Sequence, residues 1–473
     1  MLFSSVVFIL YFLPIALILY YGTFFSKTLQ NIALLLLSLA FYAWGEPSYV
    51  LLMVGSIIFN YVLGHLIFYF KSKKKYSKYF LILGTAGNLG SLFIFKYLAF
   101  VVRNLNQLQS HQIAIPNIAL PIGISFFTFK AVSYLADIYR GKSKAEKNPL
   151  YVGLYIALFP ELLAGPISRY EDIKNQIKKE KITWQKFSVG TCRFVTGMGK
   201  KLLISNSMAV IVDRIFQMNS NSAVTVTLAW LGAIAYTLQI YFDFSGYSDM
   251  AIGIGLMFGF KFEENFNYPY ISKSITEFWR RWHISLSLWF KDYLYFPLGG
   301  SRVKNKDKLI RNLFIVWVST GVWHGAEWTF IIWGFLNFIF IAFEKLISFD
   351  ELEIPAVYRH IYALFVINLG WVIFRANNIL EAGNYIASMF GFRHNGFWSP
   401  YTFMFIKENL IFIIAAIVLS TPIARKTNKF IVDKAFGYRV LDGLYPFAIV
   451  GLFLVCMSYI VKGSYNPFIY FKF

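Results

Sequence analysis

Long apolar segments separated by short basic loops are the main pattern in this chain. Apolar runs of about 18 or more residues with few charges are typical of transmembrane helices. The pattern predicts an all-α, polytopic membrane protein of about eleven or twelve transmembrane helices, with re-entrant and interfacial helices around a central tunnel. The predicted crossings lie at about residues 2–21, 31–44, 49–70, 79–102, 119–139, 188–217, 224–242, 309–323, 328–347, 357–374, 405–423 and 443–461.

The basic loops predict how these helices are oriented. The loop 71–78, KSKKKYSK, is the strongest marker and is expected in the cytoplasm. Counting crossings from it places both termini outside and the polar region 261–311 inside. The first segment, 2–21, has no basic region before it and no small-residue cleavage site. We therefore expect a retained helix there rather than a signal peptide.

One apolar segment, 149–166, does not fit a simple crossing. Lysine-rich stretches flank it on both sides, and Pro160, Gly165 and Pro166 interrupt it. Because both flanking loops are expected in the cytoplasm, the segment is predicted to enter the membrane and return. Broken backbone at membrane depth is tolerated where it is buried in protein or lines a cavity.

Composition supports a membrane protein and narrows its partners. Only 15% of the 473 residues are charged and 57% are hydrophobic, whereas soluble domains average about 25% charged residues. The net charge of +21 lies in short loops that face anionic headgroups, so we expect contact with the lipid bilayer and no nucleic-acid binding. Cys192 and Cys456 show neither metal spacing nor a disulfide framework and are expected to be buried thiols. Residues 1–473 contain no linker or tandem repeat, which indicates a single domain.

A polar block at 241–334 interrupts the apolar pattern and carries two histidines. His324 lies in GVWHGAEW between apolar stretches, and an ionisable residue at membrane depth is costly enough to suggest function. Burial favours the neutral imidazole, which is the form that a general base needs. Gly321 and Gly325 permit close approach of backbone or substrate. The alternative is a core histidine hydrogen-bonded to a neighbouring helix.

His283 lies in EFWRRWHISLS. At helical spacing Trp279, His283 and Ser287 share one face. The functional interpretation is a binding or orienting histidine at the entrance for an anionic donor, with Arg280 and Arg281 holding phosphate. The alternative is an interfacial helix whose aromatic rings dip into the bilayer.

Other chemistry in the block has weaker support. The two histidines lack HxxxH or HExxH spacing and have no cysteine nearby, so no metal site is expected. The sequence FSGYS lacks the G-x-S-x-G elbow of serine hydrolases. Asp243 and Asp249 are expected either to pair with Arg280 or Arg302 or to polarise a histidine.

The chain ends in PFIYFKF, an aromatic rather than a polar terminus. Aromatic residues are costly to leave in water, so the tail 464–473 is expected to dock into a groove. In that case Tyr470 would present its hydroxyl to the reaction centre. The alternative is an aromatic belt at the outer interface.

Eight motifs stand in order along the chain: YAWGEP, PIGISFFTF, LLAGPISRY, DFSGYSDMAIG, ENFNYPY, SITEFWRRWHISLSLWFKDYLYFPLGG, GVWHGAEWTF and LGWVIFRA. Together they resemble the motifs of the membrane-bound O-acyltransferase family, in particular the bacterial branch that includes alginate and peptidoglycan O-acetyltransferases. The D-alanyl transferases of the same family have FWDRWH and lack the YLYFPLGG ending, so the resemblance favours the acetyl branch.

The resemblance implies a catalytic core at about 121–347, with His324 as the catalytic histidine and His283 in the same tunnel. It also implies that Tyr470 carries the acyl group transiently. The substrate-binding residues expected around these are Trp282, Arg280, Arg281, Trp323, Asp243 and Ser287.

The implied reaction transfers an acetyl group from a cytoplasmic thioester, acetyl-CoA, across the bacterial cytoplasmic (inner) membrane. A periplasmic SGNH-like O-acetyltransferase partner, or the glycan itself, would receive the group. Peptidoglycan is the first expectation, followed by alginate or another exopolysaccharide. Alternatives are D-alanyl or lipid-acyl transfer and a transporter with a histidine proton relay. A transporter of this size often shows inverted repeats, and the sequence shows none.

Overall fold

The computed structural model describes residues 1–110, 112–179, 182–220, 224–303, 305–432, 435–463 and 468–469. Over these residues the regular structure is entirely helical, which confirms the all-α prediction. They form two compact units. The N-terminal unit comprises Met1–Phe194 and Met250–Glu263, and the C-terminal unit comprises Val195–Asp249 and Glu264–Phe473. The expected single domain stays a prediction.

The helices follow one another with short connections. The first half of the chain contains α1 (Leu13–Gly22), α2 (Lys27–Gly45), α3 (Val50–Tyr69), α4 (Lys74–Leu92), α5 (Leu98–Leu108), α6 (Ile124–Arg140), α7 (Pro149–Ala157), α8 (Phe159–Leu162), α9 (Tyr170–Lys179), α10 (Trp184–Gly199) and α11 (Asn206–Ser220). The second half contains α12 (Val226–Met257), α13 (Ile275–Arg281), α14 (Ile284–Phe290), α15 (Lys306–His324), α16 (Trp328–Leu346), α17 (Ala356–Arg375), α18 (Ile379–Met389), α19 (Pro400–Leu419), α20 (Ile423–Val432) and α21 (Ala435–Val461). π-Helical turns lie at Phe8–Phe12, Phe93–Tyr97, Lys200–Ser205 and Lys291–Tyr295.

Many helices begin where the sequence supplies a capping side chain. A Ser or Asn before the first turn accepts a hydrogen bond from a backbone N–H that has no partner within the helix. The pairs are Ser26 with Leu29, Asn148 with Leu150, Ser274 with Glu277, Asn305 with Asp307, Asn378 with Glu381 and Ser399 with Tyr401.

Seven helices in the described part of the chain are long and apolar enough to cross a membrane. They are Lys27–Gly45, Pro47–Tyr69, Lys74–Leu108, Trp328–Leu346, Ala356–Arg375, Pro400–Leu419 and Gly443–Val461. Each matches a predicted crossing. Other predicted crossings, among them α6 and α15, are helical but are shorter, more charged or less apolar. The total of eleven or twelve crossings therefore stays a prediction.

The segment predicted to enter the membrane and return is a broken helix. Helix α7 has nine residues and so rises only about 14 Å, less than half of a bilayer core of about 30 Å. The chain then turns sharply and brings Gly165 against Pro160. A Cβ on Gly165 would lie 2.5 Å from the Pro160 carbonyl oxygen. Within the N-terminal unit, Glu161 on α8 forms a buried ion pair with Lys130 on α6, at 2.6 Å. The side of the membrane on which the segment begins and ends stays a prediction.

Candidate active site

His324 is the last residue of α15, and a close helix crossing fixes its position. A Cβ on Gly321 would lie 2.5 Å from the Phe330 carbonyl oxygen, and a Cβ on Gly334 would lie 2.5 Å from the Trp317 carbonyl oxygen. Only glycine allows α15 and α16 to approach this closely. The two glycines therefore determine where α15 delivers His324.

Aromatic rings surround the His324 imidazole, which is 6% exposed. Its ring centroid lies 5.0 Å from Trp323, 5.0 Å from Trp333 and 5.2 Å from Phe374, and all three rings meet it edge to face. These contacts fix the plane of the imidazole and exclude bulk water from it. The expected close approach at Gly325 is also present, since a Cβ there would lie 2.3 Å from the Phe330 ring.

The expected single helical face through His283 is wrong. Helix α13 ends at Arg281, and His283 adopts a left-handed conformation with φ 44° and ψ 54° before α14 begins. A left-handed residue breaks a right-handed helix and is uncommon outside glycine. Because of this break, His283 does not share a helical face with Trp279 and Ser287, although all three residues line one cavity.

Asn265 holds this break in place. Its backbone carbonyl oxygen accepts a hydrogen bond from the backbone N–H of Ile284 at 3.0 Å. Its side-chain Oδ1 accepts hydrogen bonds from Ser285 N at 3.2 Å and from Ser285 Oγ at 3.0 Å. The same Oδ1 lies 3.1 Å from His283 Nδ1. Because a backbone N–H can only donate, Oδ1 is an acceptor, and His283 Nδ1 is the protonated nitrogen. The lone pair of the neutral imidazole is then on Nε2.

Burial keeps His283 neutral. The residue is 1% exposed and lies outside the seven helices that are long enough to cross a membrane. Removing the imidazolium from water is unfavourable, so burial lowers the pKa of His283 to about 3. At physiological pH His283 is therefore a neutral, oriented hydrogen-bonding group.

Both histidines line one cavity of 450 Å³ in the C-terminal unit. Its deep wall is aromatic and includes Trp279 and Trp317. Three exposed cations, Arg280, Lys291 and Lys345, line it as well. Other polar lining residues are Thr276, Ser287, Tyr295, Ser301 and Thr320. The arrangement joins a basic entrance to a buried imidazole.

The other substrate-binding residues expected in this region pack next to the lining residues of the cavity and do not line it themselves. Trp323 lies between the histidines, with its ring 6.1 Å from His283 and 5.0 Å from His324. Trp282 is 2% exposed and packs 4.9 Å from Trp371, so it is a core ring and not a bilayer anchor. Arg281 is engaged by Glu277 at 2.8 Å. Of the two neighbouring arginines, Arg280 is the one that lines the cavity.

The expected pairing of the α12 aspartates with Arg280 or Arg302 is wrong. Asp243 forms an ion pair with Lys201 at 2.5 Å, and Asp249 forms one with Lys200 at 2.6 Å. The Asp243–Lys201 pair is almost fully buried. A buried charge requires a close partner, and the adjacent lysines on the π-helical turn supply one for each aspartate.

The second oxygen of Asp243 contacts the C-terminal tail. Its Oδ2 accepts the backbone N–H of Ile469 at 2.8 Å. Phe468 packs 4.9 Å from the Tyr247 ring, and Phe468 and Ile469 are 5% and 6% exposed. Tyr470 lies outside the described residues, so docking of the whole tail stays a prediction.

Comparison with known proteins identifies the family. The family model that describes the membrane-bound O-acyltransferases matches residues 3–378. The chain belongs to this family. It is a multi-pass membrane acyltransferase, as the motifs predicted.

Curated relatives extend over most of the chain. It is 43% identical over 397 residues to the probable alginate O-acetylase AlgI of Pseudomonas aeruginosa, covering 83% of this chain and 75% of that protein. It is 35% identical over 425 residues to the peptidoglycan O-acetyltransferase of Helicobacter pylori, covering 83% and 80%. A teichoic acid D-alanyltransferase of Bacillus subtilis is 33% identical over 245 residues, covering 47% and 60%. The relatives support an O-acetyltransferase.

Two residues that shape the site were missed from the sequence. Asn265 belongs to the ENFNYPY motif, but nothing in the motif indicates that its amide holds His283. Glu344 accepts hydrogen bonds from Ile275 N at 2.5 Å and Thr276 N at 2.8 Å, and a carboxylate at a helix N-terminus is stabilising. Glu344 lies on α16 and therefore fixes where α13 starts.

Proposed function

We propose that this protein takes an acetyl group from acetyl-CoA on the cytoplasmic side of the bacterial inner membrane and transfers it to an extracytoplasmic acceptor, for O-acetylation of a cell-surface polysaccharide. The observation that carries the proposal is the single 450 Å³ cavity that joins Arg280, Lys291 and Lys345 to His283 and His324. Cations at the entrance attract the phosphates of the donor, and the aromatic interior suits its acyl end.

His324 is the proposed general base. The acceptor hydroxyl gives its proton to His324 while its oxygen forms a bond to the thioester carbonyl carbon. The C–S bond then breaks, and the coenzyme A thiolate leaves and takes the proton back from His324. No oxidant or further reactant is needed. His283, neutral and held by Asn265, is proposed to orient the donor by accepting at Nε2 a hydrogen bond from an amide N–H of the pantetheine arm of acetyl-CoA.

Tyr470 is the proposed first acceptor. It follows Ile469, whose backbone N–H is held by Asp243, so the tyrosine is tethered one residue from a fixed point. An acetylated tyrosine would split one transfer into two ester-forming steps. The group would then pass to a periplasmic SGNH-like O-acetyltransferase partner, or to the glycan directly.

Two polysaccharides are candidates for the acceptor. Peptidoglycan was the first expectation, whereas the chain shares 43% identity with an alginate O-acetylase and 35% with a peptidoglycan O-acetyltransferase. The higher identity supports a secreted polysaccharide of the alginate type, and the similarity to a peptidoglycan O-acetyltransferase supports the cell wall. Both acceptors therefore enter the test.

Mass spectrometry of the purified protein after incubation with labelled acetyl-CoA tests the mechanism. We expect an acetyl adduct on Tyr470 in the wild type and none in His324→Ala or Tyr470→Phe. His360→Ala is the matched control, since His360 contacts Ser272 on another part of the C-terminal unit. In cells, ester-linked acetate is released separately from the cell wall and from the secreted polysaccharide. We expect His324→Ala to lower the released acetate in one of these two fractions, which identifies the acceptor. Normal acetylation of both fractions in His324→Ala cells would refute the proposal.

A further inference from the structure

The FSGYS sequence on α12 is not a hydrolase elbow, but one face of it packs towards His283. The Phe244 ring lies 4.6 Å from the His283 imidazole and meets it edge to face. Ser248 lies four residues further along α12 and therefore on the same face of the helix. This face of α12 is directed at the break between α13 and α14 that carries His283.

Ser248 is linked to His283 through the side-chain amide of Asn265. The Ser248 hydroxyl accepts a hydrogen bond from Asn265 Nδ2 at 3.1 Å. On the other side of the amide, Asn265 Oδ1 lies 3.1 Å from His283 Nδ1. Ser248, Asn265 and His283 are each at most 2% exposed. The three residues thus form a buried chain of hydrogen bonds that runs from α12 to the imidazole.

The Asn265 amide can take only one orientation in this chain. The backbone N–H of Ser285 can only donate, so the amide oxygen must face it. The amide nitrogen then faces Ser248, whose hydroxyl oxygen can accept. A reversed amide would bring two donors together at Ser285 and leave buried polar groups unpaired. Residues outside the imidazole therefore decide that His283 carries its proton on Nδ1.

The other ring nitrogen of His283, Nε2, is the one on the cavity side. His283 lines the 450 Å³ cavity, and Asn265 is not among the described residues that line it. The ring edge with Nδ1 therefore faces protein, and the edge with Nε2 faces the cavity. In the neutral tautomer that Asn265 selects, Nε2 accepts a hydrogen bond and cannot donate one.

We propose that Ser248 and Asn265 are positioning residues for the donor, because they make His283 an acceptor for an amide N–H of the pantetheine arm. The inference rests on the proposed function and deepens it, since the donor is then selected by an amide as well as by its phosphates. A donor without this N–H leaves a buried acceptor unpaired. Sites that hydrogen-bond a substrate group discriminate strongly against analogues that lack it. Ser248 and Asn265 act on the donor only through His283.

Release of the coenzyme from three donors by the detergent-purified full-length chain tests the inference. The donors are acetyl-CoA and two analogues, in each of which oxygen replaces one amide N–H of the pantetheine arm. We expect the wild type to use one analogue with a kcat/KM about tenfold below that of acetyl-CoA, the upper range for one hydrogen bond. Asn265→Ala should bring this ratio near one, because the imidazole can then take the other tautomer. Ser248→Ala should lower it to about threefold.

Ser388→Ala is the matched control for Ser248→Ala. Ser388 is also 2% exposed in the C-terminal unit, and its hydroxyl donates to the Asn384 carbonyl oxygen at 3.1 Å. Its removal should lower the unfolding midpoint and leave the donor ratio at the wild-type value. In a His283→Ala background, adding Asn265→Ala should not change the ratio, because both residues act through one imidazole. If Asn265→Ala does not assemble, Ser248→Ala decides the result.

The outcomes separate the inference from the proposed function. Equal kcat/KM for all three donors, in wild-type protein that uses acetyl-CoA, would overturn the inference and leave the proposed function standing. A tenfold ratio that persists in Asn265→Ala and Ser248→Ala would also overturn it. Failure of the wild type to use acetyl-CoA would instead contradict the proposed function.

Discussion

Asp243 binds the backbone N–H of Ile469 at 2.8 Å with one carboxylate oxygen while the other pairs with Lys201 at 2.5 Å. One buried carboxylate thereby neutralises a buried lysine and holds the backbone of Ile469. The tail contact is made to the backbone, so it fixes the position of the chain just before Tyr470.

Asp243→Asn should destabilise the protein and release the tail. The variant removes the carboxylate that neutralises Lys201 in a buried site, and breaking such a pair costs about 3–5 kcal/mol. Thermal unfolding and protease cleavage near the C-terminus would show both effects. Asp249→Asn is the control, because its pair with Lys200 is more exposed and should cost less. Equal unfolding midpoints for the two variants would contradict the role given to Asp243.

Arg280→Ala and Arg281→Ala should differ in donor binding. Arg280 lines the large cavity, whereas Arg281 is paired with Glu277 at 2.8 Å. We expect Arg280→Ala to raise the KM for acetyl-CoA about tenfold, since a charge-assisted hydrogen bond contributes about 1.5–3 kcal/mol, and to weaken its dependence on salt. Arg281→Ala should change KM less. Steady-state kinetics at two salt concentrations check this, and the reverse order would place the donor elsewhere.

Gly321→Ala should impair catalysis through position alone. Its methyl group would lie 2.5 Å from the Phe330 carbonyl oxygen, so α15 must move relative to α16 and carry His324 with it. Displacement of a catalytic group by about 1 Å can cost about a hundredfold in rate. Gly383→Ala is the control, because a Cβ there meets nothing within 4 Å. An unchanged kcat in Gly321→Ala would show that the crossing does not position His324.

His283 should make stability depend on pH. Its pKa is about 3 in the folded protein because of burial, below its unfolded value of 6.5. Between these values the unfolded chain binds more protons, so stability is complete above pH 6.5 and falls as pH decreases toward 3, by up to about 1.4 kcal/mol per pH unit. Unfolding midpoints measured at pH 7.5 and 5.5 should differ less in His283→Gln than in wild type. The same slope in both proteins would assign the effect to other groups.

The sequence was sufficient for the fold class and for the expectation that His324 and His283 share one cavity, because apolar periodicity and motif order are local signals. The catalytic roles of the two histidines stay predictions. The sequence was insufficient for the conformation of His283. That conformation depends on Asn265, which lies 18 residues earlier, and helical spacing cannot show a distant side chain that breaks a helix. The partners of Asp243 were missed for a similar reason. We expected Arg280 or Arg302 as the partner of Asp243, but Lys201, which pairs with it, lies on a different helical segment.

The buried Lys130–Glu161 pair has a consequence for how the protein is made. Lys130 precedes Glu161 by 31 residues, so during synthesis α6 reaches the translocon before its counter-charge exists. A lysine at the centre of a membrane helix disfavours insertion by about 2.5–3.5 kcal/mol. We expect α6 to remain at the translocon or the membrane surface until α8 emerges. Membrane insertion of the N-terminal unit would then depend on the synthesis of Glu161.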